Sequence, residues 1–215
     1  FKRYFFCNLL FIACLYTKNF WKILIYICFD MKISQCRSCK SKNIENAFNL
    51  GLQSLTGIFP ASKKTRVSKG KLSLALCKNC FLLQLEDSFN PDEMYGDNYG
   101  YMSSLNQSMF NHLKNKVNNL KQKINLNYRD IIIDVGSNDG TFLSFFDKKF
   151  DLVGVDPTIK KFGKKYRKDI KKVPEFFSKE VIKKYLNKKK AKLITSIAMF
   201  YDLEDPLEFV KDIYE

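Results

Sequence analysis

The stretch Ile131-Ile-Ile-Asp-Val-Gly-Ser-Asn-Asp-Gly140 constrains this chain more than any other. Three consecutive β-branched residues fit a parallel strand covered on both faces. The strand reaches Asp134 and passes into a glycine-containing turn over residues 136–140. Thr141-Phe-Leu-Ser-Phe-Phe then begins a helix, with Thr141 as its candidate N-cap. A strand, a tight turn and a helix N-terminus together cradle a nucleotide-like ligand, because backbone N–H groups point into the turn and glycine allows close approach. The next strand, Asp151-Leu-Val-Gly-Val, ends on Asp156-Pro157, which puts an acid where ribose hydroxyls are held.

The turn lacks the G-x-G-x-x-G spacing of dinucleotide sites. It reads D-x-G-x-N-x-G, from Asp134, Gly136, Asn138 and Gly140. This resembles the first motif of the class I S-adenosylmethionine-dependent methyltransferases, acidic-x-G-x-G-x-G. Asn138 replaces the middle glycine, and asparagine is the next most tolerant of a left-handed backbone. In that family the first acid faces the methionine part of the cofactor and the second binds its ribose, so the resemblance gives these roles to Asp134 and Asp156. The plain alternative is an ordinary strand-turn-helix.

A chain of 215 residues holds one or two domains, and 46% hydrophobic content is enough for a core. Its formal charge of +15 raises a nucleic-acid partner. The excess is nearly all lysine, spread over short runs such as Lys160-Lys161 and Lys164-Lys165, and fits solvated faces better, so no nucleic acid is expected. Residues 1–30 are apolar but split at Thr17-Lys18-Asn19, leaving each part short for a membrane crossing. They carry no small-residue cleavage site. The expectation is that Met31 is the start, that residues 1–30 are not part of the mature protein, and that the protein is cytoplasmic. A membrane is a partner only if that apolar leader is genuine.

Cys36-Arg-Ser-Cys39 and Cys77-Lys-Asn-Cys80 are two C-x-x-C knuckles. Two thiolates at that spacing share one turn, and two such turns complete a tetrahedral four-sulfur site that favours Zn²⁺. A closed site of this kind leaves no open coordination position, so the metal is expected to be structural. Disulfides or plain structural thiols are the alternative. Leu72-Ser-Leu-Ala-Leu and Phe81-Leu-Leu-Gln-Leu flank the second knuckle as short strands, and Asn90-Pro-Asp marks a turn.

Residues 95–104 carry three tyrosines, two glycines and two serines with no apolar periodicity. Such a loop suits a ligand that is part ring and part hydroxyl, with Tyr99, Tyr101 and Ser104 as candidate contacts. The alternative is a tyrosine-rich packing loop. Ser103 or Ser104 is then expected to cap a helix with the stripe Leu105, Met109, Leu113, Val117, Leu120 and Ile124. His112, the lone histidine, lies beside this stripe and reads as a packed or surface residue.

From about Gln35 onward the chain resembles the sugar C-methyltransferases, class I methyltransferases with an N-terminal zinc-binding domain. The matching pieces are both knuckles, residues 51–60, the tyrosine loop, the 136–141 turn, Val155-Asp-Pro157, and residues 194–202. The resemblance implies an α/β fold, a Rossmann-like methyltransferase sheet preceded by a small zinc-binding domain. It implies S-adenosylmethionine and Zn²⁺ as cofactors and a nucleotide-linked keto-deoxysugar as substrate. Carried over by motif, the cofactor contacts are Asp134, Gly136, Ser137, Asn138, Gly140, Asp156, Pro157, Ser196 and Ala198. The metal ligands are Cys36, Cys39, Cys77 and Cys80.

The expected divisions are the leader (1–30), the zinc-binding domain (31–89), the tyrosine loop and linker helix (90–125), and part of the methyltransferase domain (126–215). Strands are expected near residues 131–135, 151–155, 171–173 and 192–196, with a helix opening over residues 204–210. A full sheet of the family has further strands, so the chain is expected to be a fragment with its general base beyond Glu215. An RNA or other small-molecule methyltransferase with a zinc module, or a non-enzymatic zinc-knuckle interaction module, are the other readings.

Overall fold

A computed structural model describes residues 31–55, 60, 62–64, 66–96, 99–186 and 189–215. The expectations for the leader and for part of the 51–60 segment lie outside these residues. Among them, no helix is long and apolar enough to cross a membrane.

The N-terminal part is antiparallel. β1 (Met31–Lys32) pairs with β5 (Asp87–Ser88), while β2 (Ile44–Ser54), β3 (Lys69–Cys77) and β4 (Leu83–Leu85) form a sheet in the order β2-β3-β4. The expected hairpin around the second knuckle is β3-β4, paired through Leu74↔Leu85 and Leu76↔Leu83. β2 has no clean alternation in sequence, because its register shifts between Asn46 and Phe48 and again between Asn49 and Leu52. Gly51 takes φ +70° at the second shift, the conformation a bulge requires. β3 turns Ser73, Ala75 and Cys77 inward. Ser73 Oγ donates to Glu86 Oε2 at 2.8 Å, and Lys32 Nζ meets Glu86 Oε1 at 2.8 Å. The Lys32 and Ser73 hydrogen bonds hold the Glu86 carboxyl down at about 2, against its burial.

Two helix starts differ from the sequence expectation. The turn at Asn90 is the N-terminus of α1 (Pro91–Tyr95), with Asn90 Oδ1 accepting from Asp92 N at 2.9 Å. Ser103 and Ser104 do not cap the linker helix; they lie in a short 3-10 turn, Ser103–Leu105. α2 (Gln107–Lys123) begins after Asn106, whose Oδ1 accepts from Ser108 N and Met109 N. Asparagine accepts these bonds as well as serine does, so the first competent residue next to the periodic segment wins. Leu105 is therefore outside the helix and 69% exposed, while Leu113 and Val117 are buried. Burying two such side chains contributes about 1.5–3 kcal/mol each. His112 is exposed, as expected.

The C-terminal part is a parallel sheet of β6 (Ile131–Val135), β7 (Asp151–Val155), β8 (Lys171–Val173) and β9 (Leu193–Ser196), in the order β8-β7-β6-β9. The chain includes α3 (Thr141–Ser144), α4 (Ile159–Phe162), α5 (Lys179–Leu186) and α6 (Pro206–Tyr214). Every residue of β6 is buried, which explains its unbroken apolar run. Strand alternation sends Ile132 and Leu152 to one face, where they meet Phe142, Phe146, Leu113 and Val117. Ile131, Ile133, Val153 and Val173 go to the other, against Ile182, Leu186 and Phe209. This is an α/β, Rossmann-like fold. The chain lays β7 on one side of β6 and β9 on the other, so a crevice opens at the carboxyl ends of β6 and β9.

Candidate functional site

The turn after β6 is built from left-handed residues: Gly136 at φ +73°, Asn138 at +51° and Gly140 at +78°. A Cβ on Gly140 would lie 2.8 Å from the Tyr166 ring, and one on Gly136 would lie 3.3 Å from the Met199 side chain. Gly140 thus needs glycine for space as well as for backbone freedom, while at Gly136 the positive φ is the main demand and a Cβ would only press on Met199. Asn138 tolerates φ > 0 as expected, and its side chain does more, described below. α3 is not capped by Thr141, which is its first helical residue. Asp139 Oδ1 accepts from Thr141 N at 3.2 Å and from Thr141 Oγ1 at 2.7 Å.

Asp156 closes this turn. Its Oδ2 accepts from Asn138 N at 2.8 Å, and its Oδ1 accepts from Thr158 N at 2.7 Å and Thr158 Oγ1 at 2.5 Å. A carboxylate oxygen has room for two donors, so Oδ2 can accept one more from a ligand. Pro157, next to it, is half-buried. Asp134 is buried at the end of β6, and its Oδ1 accepts from Thr195 Oγ1 at 2.7 Å. Burial drives this carboxyl up to about 7, with the Thr195 hydrogen bond opposing and the Asp156 charge adding.

Tyr166 supports the turn from below, and nothing in the sequence singles it out among its lysine and arginine neighbours. Its hydroxyl is 2.7 Å from Ser137 Oγ and donates to the Asn138 carbonyl at 3.0 Å. Burial raises its phenol, which keeps it neutral.

The tyrosine loop is fastened onto this turn by side chains of the turn itself. Asn138 Nδ2 donates to Tyr101 O at 3.0 Å, and Asn138 Oδ1 accepts from Ser103 N at 2.9 Å. Asp139 Oδ2 accepts from Ser104 N at 3.0 Å. Ser104 therefore meets the turn through its backbone. The rings of Tyr95 and Tyr99 are 5.7 Å apart, and those of Tyr99 and Tyr101 6.5 Å apart at an edge-to-face angle. Burial, then the nearby Asp156 charge, pushes the Tyr99 phenol up to about 12. It is a neutral hydrogen-bond donor at physiological pH.

Across the crevice, Ser196 pairs in register with Val135, and its Oγ donates to Met199 Sδ at 3.5 Å. Ala198 is exposed at φ +54°, a strained position for a residue with a Cβ. Asp202 follows, and partial desolvation beside Tyr95 raises its carboxyl although the residue as a whole is exposed.

The four knuckle cysteines converge, with all four Sγ atoms within 4.8 Å of one another and no disulfide among them. Cys36 and Cys80 sulfurs are 3.6 Å apart, and those of Cys39 and Cys77 3.5 Å apart. Tetrahedral zinc with ordinary Zn–S bonds needs sulfurs about 3.8 Å apart, so the donor set fits. The knuckles share one backbone design. Lys40 N donates to Cys36 O at 3.0 Å with Lys40 at φ +59°, and Phe81 N donates to Cys77 O at 2.9 Å with Phe81 at φ +60°. Burial pushes the Cys36 thiol up, but the Cys39 and Ser38 N–H groups bring it down to about 6. The Cys80 N–H likewise lowers Cys77. Backbone donors at Cys36 and Cys77 favour their thiolates, the form that binds metal, whereas at Cys39 the Ser41 N–H is outweighed by burial and the neighbouring sulfurs, which push its thiol up to about 12.

Residues 36–95 match a family described as a zinc binding domain, and residues 105–215 match a family described as a methyltransferase domain. A C-methyltransferase of Streptomyces niveus, NovU, is 26% identical over 152 residues, which cover 69% of this chain and 36% of that protein. The chain thus spans little more than a third of the length of this relative.

Proposed function

From the premise that this chain belongs to the methyltransferase domain family, we propose that it forms the zinc-binding and cofactor-binding portion of an S-adenosylmethionine-dependent C-methyltransferase. Its proposed substrate is a nucleotide-linked keto-deoxysugar. The observation that carries this reading is the left-handed turn of Gly136, Asn138 and Gly140, which the Asn138 side chain ties to the tyrosine loop at Tyr101 and Ser103. The similarity to a C-methyltransferase supports the choice of a carbon acceptor.

The cradle fits the cofactor. Gly136 leaves open a space that a Cβ would fill toward Met199. Asp134, Gly136, Ser137, Asn138, Gly140, Asp156, Pro157, Ser196 and Ala198 would hold it. When bound, S-adenosylmethionine supplies an electrophilic methyl group. Asp156 Oδ2 accepts a ribose hydroxyl beside its bond from Asn138. The Asp134 carboxyl, lifted to about 7, sits where it can accept from the methionine amino group without a full buried charge. Tyr99 and Tyr101, in the loop tied to the turn, would offer hydroxyls and ring edges to the sugar nucleotide. C-methylation of a keto sugar moves a proton from the carbon beside the ketone to a general base. The carbanion electron pair forms the new bond to the methyl carbon as the methyl–sulfur bond breaks and leaves its electron pair on sulfur. A neutral Tyr99 hydroxyl suits the oxygen on which charge then builds. The four thiolates would hold Zn²⁺ in a closed shell with no position for substrate, so its part is structural. We divide the chain accordingly into the zinc domain (31–89), the tyrosine loop with its linker helix (90–125) and the cofactor fold (126–215).

The test uses full-length protein. It should bind S-adenosylhomocysteine and transfer labelled methyl from S-adenosylmethionine to carbon of a nucleotide-linked 4-keto-deoxysugar, with solvent-deuterium exchange at that carbon. Absence of both cofactor binding and exchange would overturn the reading.

A further inference from the structure

The first knuckle carries an arginine between its two thiols, and this side chain leaves the metal site altogether. Arg37 is only 11% exposed in its side chain. Its backbone N donates to Gln84 Oε1 at 3.0 Å, and its Nη1 donates to Leu85 O at 2.6 Å. The rest of the guanidinium crosses to the segment after β9. Nε and Nη2 both donate to Glu204 Oε2, at 3.2 and 3.1 Å, and Nη2 also reaches Ser88 Oγ at 3.1 Å. Ser88 Oγ donates to the other oxygen, Glu204 Oε1, at 2.7 Å. Lys40, just past the same knuckle, adds a second link to Asp205 at 3.4 Å.

The segment so held borders the crevice at the carboxyl end of β9. Met199 lies against Gly136, and the Asp202 carboxyl interacts with Tyr95 of the tyrosine loop. The 3-10 turn Phe200–Asp202 has no buried residue, so its own packing gives little to fix its place. Asp205, where it ends, caps α6 by accepting from Glu208 N at 3.2 Å. A planar, mostly covered guanidinium with two donors on one carboxylate oxygen, and Ser88 bridging to the other, is a directional link.

We infer that Arg37 is a positioning residue: it transmits the geometry of the metal-bound knuckle to residues 199–205, so that metal occupancy sets how well the crevice binds its cofactor. This rests on the cofactor reading above. With metal, four thiolates fix the knuckle backbone and hence the Arg37 Cα. Without it, the fork loses register with Glu204 and the segment loosens. The closed metal site thereby acts on binding without touching a ligand.

The test compares wild-type full-length protein, Arg37→Ala, Arg37→Lys, Glu204→Ala and the Arg37→Ala/Glu204→Ala double variant. Zinc content, S-adenosylhomocysteine affinity by calorimetry, and hydrogen exchange over residues 197–205 are measured on each. Glu204 is largely exposed, so its variant folds even where an Arg37 variant does not. Both alanine variants should keep their zinc, bind S-adenosylhomocysteine roughly tenfold more weakly, and exchange faster over residues 197–205. The double variant should be no weaker than Arg37→Ala alone, because the two act as one link. Arg37→Lys should fall between, having lost the fork but kept the charge. Chelating zinc from wild type should reproduce the faster exchange, and chelating it from Arg37→Ala should add little. Wild-type affinity and exchange in zinc-loaded Glu204→Ala, or additive losses in the double variant, would overturn the inference. A wild-type protein that fails to bind S-adenosylhomocysteine sinks the cofactor reading instead. Exchange over residues 197–205 then still decides the role of Arg37.

Discussion

Tyr166 and Asn138 meet through the main chain: the tyrosine hydroxyl donates to the asparagine carbonyl at 3.0 Å while standing 2.7 Å from Ser137 Oγ. The ring below also fills the space that a Cβ on Gly140 or Gly154 would occupy. One side chain thus sets both the height of the turn and the glycines it requires. Tyr166→Phe keeps the ring and should cost about 1–2 kcal/mol, read from the urea midpoint, while weakening S-adenosylhomocysteine binding. Gly140→Ala should be the more damaging, since it adds a positive-φ penalty to a ring clash. Equal stability of the two variants would contradict this geometry.

Asn138 separates two roles that substitution can pull apart. Asn138→Gly keeps the left-handed backbone but releases Tyr101 and Ser103, whereas Asn138→Ala loses both. The glycine variant should remain folded, with thermal stability near wild type, yet be cleaved faster by protease within residues 96–104. The alanine variant should be less stable than the glycine one by about 1 kcal/mol. Unchanged cleavage in the glycine variant would show that the side chain does not fasten the loop.

Asp134 gives the fold a pH dependence of definite sign. The carboxyl ordinarily titrates at 3.8 and is raised to about 7 here, chiefly by burial. Between those values the folded state holds a proton that the unfolded chain has released. Stability therefore falls as pH rises, by about 1 kcal/mol per pH unit, and levels off above about 7. Asp134→Asn removes this term while keeping an acceptor for Thr195. The difference in urea midpoint between variant and wild type should move in favour of asparagine from about pH 5 to about pH 7. Effects common to both proteins, such as thiolate protonation, cancel in the difference. A flat difference would mean that the carboxyl is not desolvated.

Much of this was legible in the sequence, for a physical reason. β6 and β7 lie where their buried apolar runs place them, because a strand covered on both faces has few alternatives, and β8 and β9 fall within a residue of the expected positions. The C-x-x-C spacing likewise brings four sulfurs together without knowledge of the fold between them. β2 escapes because two register shifts erase its alternation and it leaves Phe48 and Leu52 exposed. α6 starts at Pro206 after an Asp205 cap, two residues later than the expected opening at Glu204. Tyr166 and Arg37 escape for a deeper reason. Their partners stand 28 and 167 residues away, and neither local pattern nor spacing reports such contacts.

Metal removal should separate the two halves of the chain. One zinc per four-thiol cluster is expected, and Cys36→Ser should abolish it. The β2-β3-β4 sheet packs few large side chains inward and depends on the knuckles for its register. Chelation should raise hydrogen exchange across β3 and β4 strongly and across β6 and β7 only weakly. Uniform change across both sheets would argue against a local structural metal.

The sheet order carries a consequence for how the chain is made. The thiol cluster is complete once Cys80 has emerged from a ribosome, but Asp134 must wait 61 further residues for Thr195, and Arg37 must wait 167 for Glu204. Closing so long a span adds little entropy per extra residue, yet such distant contacts form slowly. Synthesis therefore delivers the knuckles first and the crevice last, onto a platform already in place.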